Sequence, residues 1–178
     1  RLTGKAGVCL STLGPGATNL MTGVADANLD GAPLVAITGQ VGTDRMHIES
    51  HQYLDLVAMF APVTKWSAQI VRPSITPELV RRAFKRSQSE KPGAVHIDVP
   101  ENIAAMPAAG MPLSITGLEK TYASFHSINE AAEAISKAHN PLILVGNGAI
   151  RANASEAVTE FATRLNIPVI NTFMGKGV

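Results

Sequence analysis

Short apolar runs bounded by glycine or proline alternate with stretches of helical period, and this alternation restricts the fold more than any other feature of the chain. Residues 6–12 (AGVCLST), 33–38 (PLVAIT) and 94–100 (AVHIDVP) are small, apolar or β-branched and read as buried strands. Between the first two, Ala17, Leu20, Met21, Val24 and Ala25 recur at helical spacing, with Pro15 suited to a first helical turn. A short helix is expected over Leu54 to Phe60, and residues 63–70 (VTKWSAQI) alternate as a strand does. Thr76-Pro77-Glu78 opens another helix, with Leu79, Val80, Ala83 and Phe84 on its apolar face. Strands separated by helices in this order imply an α/β fold of parallel sheets flanked by helices.

Residues 104–125 are rich in alanine and proline without a period and read as a linker. Beyond it the alternation resumes, with helices expected over 127–138 and 154–165 and strands over 141–146 and 168–172. Asn153 with Glu156 three residues later has the pattern of a capping pair. The organisation expected is therefore parts of two Rossmann-like domains, 1–103 and 126–178, joined by 104–125. The opening Arg1-Leu2-Thr3 and the closing Gly175-Lys176-Gly177-Val178 suggest a piece of a longer chain.

Composition removes several functions. The 178 residues are 46% hydrophobic and carry a formal net charge of +1, with no long basic block to attract nucleic acid. No apolar stretch is long enough to span a bilayer. The single Cys9 lies in an apolar run, where a buried inert thiol is expected.

The loop at Gly14-Pro15-Gly16 leaves a strand and enters a helix, which aims backbone N–H groups at the edge where open α/β sheets bind ligands. It is not a P-loop, because no Gly-Lys-Ser/Thr follows, and it lacks the third glycine of a dinucleotide fingerprint. Gly146-Asn147-Gly148 fails the same test, with Arg151 at the third glycine position. From the residues alone, the first loop is open between close ligand approach and a tight turn, and the second is read as a plain strand-to-helix turn.

Taken in order, STLGPGATNLMTGVADA, PLVAITGQ, HQYLDLVAMFAPVTKWS and KPGAVHIDVPENI resemble the thiamine-diphosphate-dependent acetolactate synthase family. The resemblance continues through NPLILVGNGAI and IPVINTFMGKG, which look like the opening of that family's central domain. It implies a three-domain enzyme, with 1–103 as part of the pyrimidine-binding domain and 126–178 as the start of the central domain. The implied activity is condensation of two pyruvates, or of pyruvate and another 2-keto acid, with loss of CO2. Thiamine diphosphate and Mg²⁺ would serve the full-length parent. The resemblance also implies a cytoplasmic homodimer or homotetramer with active sites between subunits, and the option of a regulatory small subunit. Glyoxylate carboligase or another decarboxylase or oxidase of the superfamily is the sister alternative, and a noncatalytic assembly module is the alternative of another class.

By the same resemblance, Thr12, Gly14, Pro15, Gly16 and Asn19 would face the aminopyrimidine, and Gln40 of the Thr38-Gly39-Gln40 segment would hydrogen-bond near the ring. Gln52 matches the family's active-site glutamine by its spacing to Thr64-Lys65, and its amide can donate and accept without titrating. His51 could assist proton transfer near neutral pH. Lys65 and Trp66 could line a channel, although one solvated and one packed side chain is the commoner outcome on an alternating strand. The helix cations Arg81, Arg82, Lys85 and Arg86 are expected to face solvent. His47, His96, His126 and His139 are read as structural, and Asp98 as a hydrogen-bonded turn residue near a strand end.

The sequence also departs from the family pattern. Leu13 stands where Ser is common, Lys91 where FAD-containing members have Arg, and Glu101 where Lys is frequent. Lys cannot reproduce the planar fork with which Arg grips a phosphate, so FAD is doubtful. The family's catalytic Glu would lie upstream of Arg1 and its Mg²⁺-binding Gly-Asp-Gly motif downstream of Val178, so the chain by itself is expected to be inactive.

Overall fold

The computed structural model describes residues 3–108, 110–115, 117 and 121–178. It divides into two compact units, Arg1–Glu119 and Lys120–Val178. The first holds a four-stranded sheet of order β1-β2-β4-β3, formed by β1 (Gly7–Ser11), β2 (Leu34–Gln40), β3 (Ser67–Gln69) and β4 (Ala94–Pro100). Every pairing is parallel, so Ser11, Gln40, Gln69 and Pro100 end their strands at one carboxyl edge.

Helices cover both faces of the sheet. On one, α1 (Pro15–Leu29) and α2 (Leu56–Phe60) pack Ala17, Val24, Leu56 and Phe60 against Ala36 and Ala94. On the other, α3 (Thr76–Gln88) brings Ala83, Leu79 and Phe84 against Val35, Val95 and Ile97. Alternate residues of β2 and β4 therefore serve opposite cores, which is the period-two rule acting on a strand buried on both sides. A single turn, α4 (Glu101–Ala104), follows β4.

β1 departs from the sequence expectation of a buried strand. It has β2 as its sheet neighbour, and Val8 and Leu10 are 56% and 75% exposed. An apolar run specifies a surface that gains from cover, and it does not specify the cover. β3 is also shorter than 63–70, because Ala61–Val63 wind into a 3₁₀ turn before the strand begins.

The second unit contains α5 (Phe125–Lys137), β5 (Ile143–Val145), α6 (Asn147–Arg151), α7 (Ser155–Leu165) and β6 (Val169–Asn171), with β5 and β6 paired in parallel. Ser124 caps α5 by accepting from Ser127 N at 3.1 Å. The Gly146-Asn147-Gly148 turn enters the five-residue α6, not the 154–165 helix directly. Asn153 does not cap α7: the cap is Ala154, and Asn153 takes a left-handed φ of 54° that its short polar side chain tolerates. The described residues between 107 and 124 form no helix or strand, and positions 109, 116 and 118–120 of the expected linker lie outside the described residues. Among the described residues no helix is long and apolar enough to cross a membrane.

Candidate functional site

The glycine loop leaves the carboxyl end of β1 and opens α1. Gly14 has φ 55° and ψ −121°, a backbone that an L side chain rarely adopts, and Pro15 takes the first turn without wasting a donor. A β-carbon on Gly14 would lie 2.7 Å from Gln52 Cβ and 2.9 Å from the Gln52 carbonyl oxygen. One on Gly16 would meet Thr12 Cγ2 at 2.6 Å and Ser11 Oγ at 2.7 Å. Both glycines are thus fixed by contact, and the first of those contacts is with a residue far along the chain.

Gln52 itself has a left-handed φ of 61°, uncommon for a residue with a side chain. His51 and Gln52 are exposed, as are Thr12, Pro15 and Asn19. Pro15 and Asn19 are one helical turn apart and share a face of α1. The edge therefore presents a hydroxyl, a pyrrolidine ring and two amides to solvent, and the first turn of α1 has no acidic residue. This set suits a planar, uncharged heterocycle that both donates and accepts. Among the described residues no group of three or more His, Cys, Asp or Glu could hold a metal ion.

Gln40 differs from these. It is 2% exposed, and its Nε2 donates to the Leu54 carbonyl at 2.8 Å and toward Asp98 Oδ2 at 3.4 Å, while its Oε1 accepts from Val41 N at 3.0 Å. Val41 can only donate and the other two partners accept, so the amide has one orientation. Both of its hydrogens are committed within the chain. Gln40 stands behind the exposed residues and holds the segment that carries Gln52.

Behind Gln40 lies a polar network that spans three strands. Thr38 and Gln40 on β2, Ser67 and Gln69 on β3, and His96 and Asp98 on β4 are each two residues apart, so each pair shares a face of the sheet. The register places Thr38 and Gln69 beside Asp98, and Ser67 beside His96. The Thr38 hydroxyl donates to Asp98 Oδ1 at 3.0 Å and so must accept from His96 Nε2 at 2.8 Å. That leaves His96 Nδ1 to accept from the Ser67 hydroxyl at 2.8 Å. Gln69 Nε2 donates to Asp98 Oδ2 at 2.7 Å.

Every donor in the chain of bonds points toward Asp98. His96 and Asp98 are fully buried, and the imidazole stacks on Phe60 with ring centroids 4.1 Å apart. Burial pushes the His96 pKa down to about 4 and raises that of Asp98, the latter against hydrogen bonds from Gln69, Thr38 and Gln40 that favour the carboxylate. Among the described residues no buried side-chain nitrogen or oxygen lacks a partner. His96 is structural, as expected, whereas Asp98 belongs to the body of β4 and not to a turn.

Lys65 and Trp66 lie at the opposite edge of the sheet. Lys65 N donates to the carbonyl of Ala94, where β4 begins, and Nζ donates to the carbonyls of Arg86 and Ser89 at 2.6 and 2.7 Å. Lys65 thus closes the C-terminal end of α3, where a cation meets the negative end of the helix dipole. Arg81, Arg82, Lys85 and Arg86 are exposed, as expected, and the Arg86 guanidinium also lies 5.5 Å from the Trp66 ring centroid in a cation–π contact. Arg81 and Arg82 pair with Glu78. At the carboxyl edge, Asn102 accepts from Thr43 N and donates to Thr43 Oγ1, and Arg45 pairs with Glu101, which together tie the segment after β2 to α4.

Sequence reasoning did not find the Thr38–His96–Asp98–Gln69 network. Its signal was present as three polar pairs at period two on strands otherwise apolar.

Comparison with known proteins assigns the class. The N-terminal TPP binding domain of thiamine pyrophosphate enzymes matches residues 1–59, and the central domain of thiamine pyrophosphate enzymes matches residues 128–178, in the order the sequence resemblance implied. Both matches are to domains of one family, the thiamine pyrophosphate enzymes. Within that family it is similar to acetolactate synthase large subunits. It is 40% identical to the probable acetolactate synthase large subunit of Methanocaldococcus jannaschii and 40% identical to the acetolactate synthase of Arthrospira platensis. It is 37% identical to the acetolactate synthase large subunit of Corynebacterium glutamicum. Each match takes in 99% of this chain and 31%, 32% and 29% of the respective relative, so the chain spans about a third of their length or less.

Proposed function

We propose that this chain is part of an acetolactate synthase large subunit that condenses two pyruvates, or pyruvate and another 2-keto acid, with release of CO2. The observation that carries this reading is the contact of Gly14 with Gln52, which sets an amide that can orient a keto acid beside the glycine loop of a thiamine pyrophosphate binding domain. In this reading residues 1–103 are part of the pyrimidine-binding domain, 104–125 the linker and 126–178 the start of the central domain.

Thr12, Pro15 and Asn19 bear on the aminopyrimidine, with Gly14 and Gly16 letting the backbone approach it. Gln52 hydrogen-bonds the keto acid, and His51 passes a proton at its imidazole. Thiamine diphosphate, when bound, supplies the electron sink for decarboxylation. Mg²⁺ and the diphosphate are held by residues other than those described, and the assembly is a cytoplasmic dimer or tetramer with the site between subunits. FAD is not required: Lys91, where a phosphate-gripping Arg would stand, directs Nζ to the Leu29 carbonyl at 3.4 Å.

The test is made on the full-length parent protein, incubated with pyruvate, thiamine diphosphate and Mg²⁺ with and without FAD. Equal acetolactate in both mixtures supports the synthase and its independence of FAD. Acetolactate only with FAD keeps the synthase and overturns that independence. Folded, cofactor-binding protein that makes none would move the assignment to the sister carboligases and decarboxylases.

A further inference from the structure

We propose that Asp98 is a positioning residue for the turn that carries Gln52, acting through the side-chain amide of Gln40. The inference rests on the reading that Gln52 meets the substrate. A sheet interior gains nothing in stability from a lone carboxylate, because its desolvation must be offset by donors brought to it. Here Thr38, Gln40 and Gln69 supply those donors, from the strands on either side of β4.

Gln69 also reaches the segment after β2, at Met46 Sδ (3.9 Å), but Gln40 is the donor that reaches it beside Gln52. One amide hydrogen points to Asp98 and the other to the carbonyl of Leu54, two residues past Gln52. The Val41 N–H holds the amide oxygen, so the group cannot flip and release Leu54. The need for such a tether is written in the turn itself. Gln52 sits in a left-handed conformation that is unfavourable for an L-residue and persists only where its surroundings hold it.

The turn is held from two sides: Gly14 lies flush on Gln52, and Gln40 grips Leu54. Asp98 is the anchor at the far end of the second hold. Replacing it with Asn weakens this anchor: a neutral amide oxygen accepts less strongly than a carboxylate, and the N–H₂ group either faces Gln40 and Gln69 or, at Thr38, reverses the hydroxyl and imidazole hydrogen bonds.

The experiment is a double-mutant cycle in the full-length, cofactor-loaded protein, with kcat and KM for pyruvate and the melting temperature as readouts. Asp98→Asn and, separately, Gln40→Met are each combined with Gln52→Asn. Asp98→Asn alone should lower kcat/KM about tenfold, the scale of one lost hydrogen bond to a charged group. In the Gln52→Asn background the same change should cost less than about twofold, because the group being positioned has already been drawn back. Gln40→Met should repeat the pattern, which keeps the test intact if Asp98→Asn does not fold.

Ser67→Ala, which removes the donor at the His96 end, should lower the melting temperature and leave kcat/KM within about twofold. Equal losses in both backgrounds, tracking the melting temperature, would overturn the inference while leaving the synthase assignment standing. A wild-type protein that makes no acetolactate would instead overturn that assignment, and the inference with it.

Discussion

Gly14 and Gln52, far apart in sequence, meet so closely that a methyl group on the first would lie 2.7 Å from the β-carbon of the second. Both residues have left-handed φ values, 55° and 61°. One is tolerated because it is glycine, and the other is held by what surrounds it. This contact converts a glycine loop that sequence alone could not distinguish from a plain turn into one wall of a candidate site.

Gly14→Ala should therefore disturb both partners. The left-handed backbone alone costs about 1–2 kcal/mol with a β-carbon, and the contact with Gln52 forces the turn to move as well. The expected outcome is a lower melting temperature of the full-length protein together with weaker activation by thiamine diphosphate. Retention of both would show that the loop and the Gln52 turn are not coupled.

A pH dependence follows from His96. Its pKa is pushed from the ordinary 6.5 down to about 4 by burial, so the folded state binds fewer protons than the unfolded chain between those values. The stability this imidazole contributes is fully present above pH 6.5 and is lost as the pH falls to about 4, by about 3 kcal/mol. Asp98 acts in the opposite sense: its raised pKa favours proton uptake by the folded state at acid pH and offsets part of the loss. Denaturation midpoints measured between pH 7 and pH 4 should fall for the wild type and fall less steeply for His96→Gln. Parallel slopes for the two proteins would rule out His96 as the source.

Lys65 offers a contrast, since by sequence spacing it belonged with Gln52. Its ammonium closes the end of α3 at the amino edge of the sheet, with burial lowering its pKa. Lys65→Met should cost about 1 kcal/mol of stability through the lost carbonyl contacts. Steady-state assays should return the wild-type KM for pyruvate. A raised KM would place Lys65 in the substrate path after all.

The fold was legible wherever two local signals agreed. The helix over Pro15–Leu29 had a proline at its first turn and an apolar stripe, and the strand over Ala94–Pro100 had an apolar run closed by proline. Where one signal stood alone, tertiary packing decided. The alternation of 63–70 gave way to a 3₁₀ turn and a three-residue strand, and the Asn153 cap gave way to a left-handed residue. The short helices Glu101–Ala104 and Asn147–Arg151 carry too few residues for a period to show.

The candidate site divided in the same way. The exposed residues of the loop were readable from motif resemblance, because their types and order are local. The resemblance pointed to Gln40 as a group bonding near the ring and not to its burial against Leu54 and Asp98, because those partners come from elsewhere in the chain. The network around Asp98 depends on the register between three strands, which the sequence of any one strand does not contain.

The central claim is that the Gly14 loop and the Gln52 turn form one side of a keto-acid site, and Gln52→Asn tests it most directly. Asn tolerates the left-handed backbone and keeps the amide, but draws it back by one methylene. In the full-length protein with thiamine diphosphate and Mg²⁺, kcat/KM for pyruvate should fall at least about tenfold while the melting temperature stays within a few degrees. An unchanged kcat/KM in a protein that makes acetolactate would contradict the account, because the amide at that turn would then have no part in holding the substrate.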